Sequence, residues 1–551
     1  LAMNKGRNMT GQDPNHSHPG ETELPPAVAD TLARLADAGD LVELEEASRA
    51  AALAFPGAAA GWRALGKSLV RSEAWSGALD ALGRLALLAP SDAAAHNDLG
   101  YVYYRLGREE EAEASYRRAL ECDPLLAGAH NNLGALLADF GQVSEAAGHF
   151  RHSLEIDPGG SFPWLGLGAL MGRVGTMDEA AIVCLERYLC LKPGDPNACT
   201  LLGNLHLRMG RRQKALDLFR TSRESRPLIT WRARSEGASF SVLFLYAPGF
   251  GLTPVEHLVR KAPYDCHFYC VLPDGEHPLD LLRQVGNVVV NTIADADCDR
   301  DVLPFAGDLV ERLGLPTLNH PRRIAGTDRE SVARRLQGIP GCHLPATVRL
   351  GGAELARAAA KGNLAGFALP ILVRVSGHHG GDKFERFHDP DAVAGFVASA
   401  PEEQYYVIEY VDYRSADGFF RKYRFICVGG EILPYHLAIH DDWKVHHFRT
   451  DMPNCEWMRA EERAFLESPH RVFTLAQMAA LQAAVAAMEL DYFGIDCSLD
   501  RQGNVLIFEI NAVMLVHEER DPTFAYKTPF IARIKERFDA LLTRKAVCRP
   551  A

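Results

Sequence analysis

The sequence predicts a multidomain protein in which an all-α helical solenoid is followed by an α/β region. Three observations carry this. A Leu-Gly pair recurs at Leu65-Gly66, Leu99-Gly100, Leu133-Gly134, Leu167-Gly168 and Leu202-Gly203, in steps of 34, 34, 34 and 35 residues. Prolines recur in step at Pro56, Pro90, Pro124, Pro158, Pro193 and Pro227. After Pro227 the period stops, and short apolar runs alternate with helical stretches. A fixed period of this length marks stacked supersecondary units, and strand–helix alternation marks a mostly parallel sheet.

Each repeat reads as two antiparallel helices. Small residues keep the register at Ala78, Ala112, Ala146, Ala180 and Ala215, where helices approach closely, and turn glycines keep it at Gly107, Gly141, Gly175 and Gly210. Proline stops the second helix. No single hairpin buries its apolar face alone, so neighbours stack into a superhelix. The pattern resembles the tetratricopeptide (TPR) family, with one degenerate and five clear units over 26–230. The resemblance implies a groove that binds a protein or peptide; the plainer alternative is a rigid spacer or dimerisation arm. Residues 61–68, Gly-Trp-Arg-Ala-Leu-Gly-Lys-Ser, match a phosphate-loop pattern. They fall inside the first helix of a repeat, where backbone N–H groups are already bonded, so the match is a decoy.

Bulk properties narrow the function classes. With 551 residues the chain has room for about three to four units. A net charge of -12 argues against a generic partner among nucleic acids or acidic membranes. No apolar run reaches the length of a membrane span. Residues 1–25 are polar and read as a disordered leader. The 12 cysteines are scattered without a CxxC pair, as reduced core thiols of a cytoplasmic protein are.

After a linker at 231–238, residues 241–246 form a buried strand running into a Gly-rich turn, and 267–272 and 288–292 follow as strands. Further strands are read at 347–350, at 371–375 leading into Gly377-His-His-Gly-Gly-Asp-Lys383, and at 405–411. Two more, 419–428 and 432–439, flank Gly429-Gly430, a hairpin signal. The last pair, 492–499 and 504–511, carries Asp496, Glu509 and Asn511. Glu509 and Asn511 lie two apart on one strand and share a face, which Asp496 can reach from the preceding arm. Two carboxylates and an amide oxygen suit Mg²⁺, a hard ion that bridges nucleotide phosphates. Taken alone, the pattern also fits an exposed hairpin face.

These separated motifs together resemble the ATP-grasp superfamily over about 240–545. The resemblance implies a Rossmann-like pre-ATP-grasp subdomain (239–320), two α+β subdomains clasping ATP (321–545), and a short tail (546–551). It implies Mg²⁺, with Mn²⁺ as the alternative ion, on Asp496, Glu509 and Asn511. It implies an adenine hinge at Glu409, Tyr410 and Val411, with Asp412 toward the ribose. Arg329 and Arg374 match the two phosphate-binding positions, usually Lys; arginine brings a planar fork in place of a point charge. Gly380, Gly381 and Lys383 match the loop that closes over the γ-phosphate. Arg424, with Lys422 beside it, matches the residue facing the acyl phosphate.

The implied activity is an ATP-dependent, peptide-modifying carboxylate–amine ligase working through an acyl phosphate. Its partners are a protein or peptide in the TPR groove and a small amine or amino acid. The rival reading is a non-catalytic nucleotide-binding TPR adaptor. The double Lys-to-Arg departure favours the rival, as does the unusual run Ala-Val-Met-Leu-Val-His after Asn511. His378, His379, His436, His440, His446 and His447 concentrate in this region. They read as an acceptor wall or general base, or as ordinary surface and packed histidines.

Overall fold

The computed structural model describes residues 23–233, 239–249, 255–259, 262–364, 366–377, 383–401, 403–446, 450–517, 519 and 521–547. Gly380, Gly381, His378, His379 and His447 lie outside the described residues, as do 1–22 of the leader, 234–238 of the linker and the end of the tail. The chain forms two compact units, 1–211 and 212–551.

The first unit is a run of antiparallel helices: Pro26–Ala38, Leu41–Ala54, Ala59–Arg71, Trp75–Leu88, Ala93–Arg105, Glu109–Cys122, Ala127–Asp139, Val143–Ile156, Phe162–Val174, Asp178–Leu191 and Pro196–Arg208. Asp40, Asp92 and Asp195 cap helix starts by accepting the main-chain N–H three residues on. Gly107, Gly141 and Gly175 turn the chain inside their repeats at φ 73°, 76° and 75°, a left-handed backbone that glycine adopts without steric cost.

The Leu-Gly glycines have a separate packing reason. A Cβ on Gly100 would sit 2.7 Å from the ring of Tyr116, and one on Gly168 would sit 2.6 Å from Leu185. The missing side chain is the socket for the large residue of the second helix. One expected small residue is corrected. Ala181 is fully buried, whereas Ala180 is exposed. The 35-residue repeat carries its extra residue in the turn after Gly175, so the second helix starts one position late, at Asp178. The phosphate-loop lookalike lies wholly within the helix Ala59–Arg71, where Gly61 packs against the Ala52 backbone.

The second unit opens with the helix Arg212–Ser225. Its Arg223 is held by Asp274 at 2.6 Å, with little of either side chain exposed. A five-stranded sheet follows, from β1 (Ile229–Trp231), β2 (Ser241–Tyr246), β3 (Asp265–Cys270), β4 (Val288–Asn291) and β5 (Thr317–Leu318). Its order is β1-β3-β2-β4-β5, parallel except for edge strand β1. All four residues of β4 are buried, which suits a strand covered on both faces.

The remaining strands are β6 (Cys342–His343), β7 (Thr347–Gly351), β8 (Ile371–Val375), β9 (Phe384–Phe387), β10 (Gln404–Glu409), β11 (Phe420–Val428), β12 (Glu431–His440), β13 (Tyr492–Leu499) and β14 (Val505–Asn511). They form a four-stranded sheet, β7-β10-β8-β9, and a five-stranded sheet, β12-β11-β13-β14-β6. The C-terminal helix Thr528–Val547 packs Ile534, Phe538 and Leu542 into one cluster with Phe244 of β2 and Ile426 of β11.

Asn319, after β5, pins the first sheet to the third. Its Nδ2 donates to the carbonyls of Tyr492 and Ala512, and its Oδ1 accepts from the N–H groups of Asp491 and Tyr492. That fixes the end of β14 beside Asn511. Eleven described cysteines are all free thiols.

Candidate functional site

A cavity of about 560 Å³ lies in the second unit. Its walls come from all three sheets. Two cross-strand rows dominate it, and the strand registers create both.

In the four-stranded sheet, Arg349 (β7), Tyr406 (β10), Arg374 (β8) and Phe384 (β9) stand opposite one another. In the five-stranded sheet, Arg424 (β11), Asp496 (β13) and Glu509 (β14) do the same, with His436 (β12) opposite Arg424. Directly opposed residues share a sheet face. Arg374, Tyr406, Phe384, Arg424, Asp496 and Glu509 all line the cavity, as do Lys422 and Asn511. The β13–β14 register shifts just after Asp496: Glu509 pairs with Asp496 but Ile507 with Cys497, leaving Phe508 as an extra residue. A bulge of this kind re-aims neighbouring side chains.

The carboxylates are tightly held. Arg424 grips Asp496 with two bonds, Nε to Oδ1 at 2.6 Å and Nη2 to Oδ2 at 2.8 Å. Lys422 Nζ lies 3.3 Å from the same carboxylate. Burial opposes the charge on Asp496, but Arg424 and Lys422 overcome it and hold the carboxyl well below its ordinary range. Arg329 opens the helix Arg329–Leu336, which Asp328 caps. It reaches Glu509 Oε2 at 2.7 Å and the Phe508 carbonyl at 3.3 Å. Burial opposes the charge on Glu509 too; Arg329 and Arg374 pull it down to about 2. Arg374 is itself pushed down to about 10, first by burial and then by neighbouring Arg329. A guanidinium disfavoured to that degree gains from an arriving anion.

The structure brings together most of the residues read from the sequence. Arg329, Arg374, Glu409, Tyr410, Val411, Lys422, Arg424, Asp496, Glu509 and Asn511 all line this cavity. The carboxylate of Glu409 accepts from the Ala346 N–H at 3.1 Å, and the Glu409 N–H donates to the Ala346 carbonyl at 2.9 Å, so both groups are taken within the protein. Two residues are placed elsewhere. Asp412 is ion-paired to Arg501 at 2.6 Å and is not part of the cavity wall, and exposed Lys383 is not either.

His446, one of the histidines singled out in the sequence, lines the cavity from the segment after β12. Other residues were not foreseen: Trp443 and Lys444 line it from the same segment. Lys444 Nζ lies 3.2 Å from Glu385 on β9, and Trp443 packs edge-on against Phe384, with Arg386 5.4 Å from its ring centre. Asp297, after β4, accepts from the Tyr406 hydroxyl at 2.8 Å and from Arg349 at 2.9 Å, tying the first sheet to the second. A polar residue two before the strand-final pair Ile408-Glu409 is the signal that marks Tyr406, because side chains repeat with period two. Lys444 and Trp443 carry no period, since they sit on a loop.

Among the described residues no group of three or more His, Cys, Asp or Glu side chains converges as a metal cage. The donor set that remains, two opposed carboxylates and the Asn511 amide, is all oxygen, the chemistry a magnesium ion selects when phosphates complete its shell.

A tetratricopeptide-repeat family model matches residues 63–127, and a second matches residues 198–227. No curated protein matches the chain. Among solved structures, the chain is similar to MamA at 21% identity, covering 29% of this chain and 93% of that one, with a TM-score of 0.26. It is similar to YrrB, described as a TPR protein with an unusual peptide-binding site, at 20% identity over 33% of this chain and 94% of that one, TM-score 0.27. A thermophilic TPR protein of Thermus thermophilus is 22% identical over 31% of this chain and 92% of that one, TM-score 0.28. The N-terminal half of the chain is built of tetratricopeptide repeats.

Proposed function

We propose that the second unit is an ATP-grasp carboxylate–amine ligase and that the TPR unit binds the protein or peptide on which it acts. The observation that carries this reading is the register of Arg424, Asp496 and Glu509 across three strands, facing Arg374 in one cavity. Cations and oxygen donors at that spacing suit a nucleotide triphosphate and its metal.

Main-chain groups of Glu409, Tyr410 and Val411 hold the base, with the apolar cluster of Tyr413, Phe420, Val445 and Phe508 behind it. Arg374 and Arg329 hold the phosphates. Magnesium, bound through Asp496, Glu509 and Asn511, would neutralise phosphate charge as the γ-phosphoryl group moves to the substrate carboxylate. Arg424 then stabilises negative charge on the acyl phosphate and on the tetrahedral adduct formed by the amine. The chain's work is positioning and charge neutralisation, as in phosphoryl transfer generally. A TPR-bound peptide raises its own effective concentration at the site.

A second reading has its own support. Both candidate metal carboxylates are already ion-paired, Asp496 to Arg424 and Glu509 to Arg329. A nucleotide-binding adaptor would keep such pairs. The deciding experiment incubates the full chain with Mg-ATP, the twenty protein amino acids and synthetic peptides, and measures ADP and product masses. A ligase gives ADP together with a mass gain of one residue. Tight nucleotide binding with no ADP under any condition supports the adaptor.

A further inference from the structure

Alternation along its strands gives the four-stranded sheet two different faces. On one face Ile371, Val373 and Val375 of β8 and Tyr405 and Val407 of β10 pack with the helices Gly352–Ala360 and Pro390–Ala398, and among the described residues they form an apolar core of their own. The opposite face carries the row of Arg349, Tyr406, Arg374 and Phe384, of which the last three line the cavity. A layer with a separate core takes its position from the contacts that cross its boundary.

Asp297 makes that crossing from the first sheet. It stands on the turn after β4, which is closed from within: Asp295 Oδ1 accepts from the N–H groups of Asp297 at 2.7 Å and Cys298 at 2.9 Å, and the Asp299 N–H donates to the Asp295 carbonyl at 2.9 Å. Asp297 Oδ2 accepts from the Tyr406 hydroxyl at 2.8 Å and Oδ1 from Arg349 Nη1 at 2.9 Å. The side chains of Asp297 and Arg349 are only 13% and 18% exposed, and Tyr406 is buried. Beside them the Cys298 thiol donates to the Gly377 carbonyl at 3.4 Å, two residues past the end of β8. Tyr406 pairs directly with Arg349 on one side and with Arg374 on the other.

We propose that Asp297 is a positioning residue for the triphosphate: by holding Tyr406 and Arg349 it fixes the row in which Arg374 stands, and so sets where Arg374 meets the phosphates; the proposal rests on the nucleotide-site reading above. The charge of Asp297 makes the role visible. A carboxylate on the wall of a phosphate site repels the phosphates, so a bystander at this position only weakens binding. A positioning Asp297 strengthens it, because an Arg374 already held in place loses less freedom when the triphosphate arrives.

The test compares two ligands of the full chain, Mg-ATP by calorimetry and adenosine by saturation-transfer NMR, which reads weak binding. Adenosine carries no phosphate and does not call on Arg374. Asp297→Ala should weaken Mg-ATP about 10- to 100-fold, the range of a lost charged hydrogen bond, and leave adenosine unchanged. Tyr406→Phe keeps the Asp297–Arg349 pair and should weaken Mg-ATP less; added to Asp297→Ala it should change little further, since both act through one contact. Tighter or unchanged Mg-ATP binding in Asp297→Ala overturns the proposal, as does an equal loss of adenosine, the sign of a cavity that has come apart. Where Asp297→Ala does not fold, Tyr406→Phe alone decides, by whether Mg-ATP weakens while adenosine does not. Wild-type protein that binds neither ligand overturns the nucleotide-site reading itself.

Discussion

Arg424 and Asp496 stand opposite each other on β11 and β13 and are joined by two parallel hydrogen bonds of 2.6 and 2.8 Å. A buried pair of this kind offsets its own desolvation only while both partners are present. Asp496 is buried while Arg424 and Lys422 are partly exposed, so Asp496→Asn leaves two half-buried cations facing a neutral amide, at a cost of about 1–3 kcal/mol. The urea midpoint of the second unit falls, with its slope unchanged. The double variant Arg424→Met/Asp496→Leu regains part of that loss but not ATP turnover. Additive losses would mean that the pair is not coupled.

Lys444 comes from the loop after β12, lines the cavity and is paired with Glu385, whose side chain is half exposed. A triphosphate is a stronger partner than a hydrated carboxylate. Lys444→Met should weaken Mg-ATP binding by about 10- to 100-fold, the range of a charged hydrogen bond worth about 1.5–3 kcal/mol. Glu385→Gln should tighten binding, because it removes the competitor. Calorimetry on both variants checks the two signs; weaker binding in Glu385→Gln would show that the ion pair orders the loop instead.

What could be read in the sequence followed periodicity. The TPR repeats were legible because Gly66, Gly100, Gly134 and Gly168 each answer a large side chain one helix away, so packing wrote itself into the spacing. Asp496, Glu509 and Asn511 were legible because strands place alternate residues on one face. Lys444, Asp297 and Glu462 were not. Their positions depend on loop path, on the meeting of two sheets and on the edge of β12, where Glu462 accepts the Leu437 N–H; none of these leaves a period. The one misread packing residue, Ala180 for Ala181, came from carrying a 34-residue register through a turn that holds an extra residue.

Acid should weaken the second unit in two steps. His436 is pushed down to about 4 from its ordinary 6.5, first by burial and then by Lys527. Between those values the unfolded chain takes up a proton that the folded chain refuses, so stability falls as pH drops from 6.5 to 4. Burial opposes the charge on Glu462, but His436 and Lys527 pull it from 4.5 down to about 2, which adds a second loss over that lower window. His277, held down to about 4 chiefly by burial, adds to the first step. Thermal unfolding against pH should slope upward from 4 to 6.5, and His436→Gln should flatten part of that slope. An unchanged slope in the variant would mean that His436 is protonated in the folded protein.

Two glycines of the first unit should respond with opposite sign to the same substitution. Gly83 lies within the helix Trp75–Leu88, and a Cβ there would meet nothing within 4 Å. Gly83→Ala removes unfolded-state freedom and should stabilise by about 0.5–1 kcal/mol. Gly100 lies in the helix Ala93–Arg105, where a Cβ would sit 2.7 Å from the Tyr116 ring and 3.2 Å from the Ala112 carbonyl. Tyr116 is itself buried and cannot swing aside. Overpacking of about 1–3 kcal/mol outweighs the helical gain, so Gly100→Ala should lower the melting temperature of the repeats while Gly83→Ala raises it. Because neighbouring repeats fold by stacking on one another, the Gly100→Ala loss should spread to the repeats on either side, visible as faster amide exchange in the helices Ala59–Arg71 and Ala127–Asp139. Exchange confined to one helix would mean that the repeats melt independently.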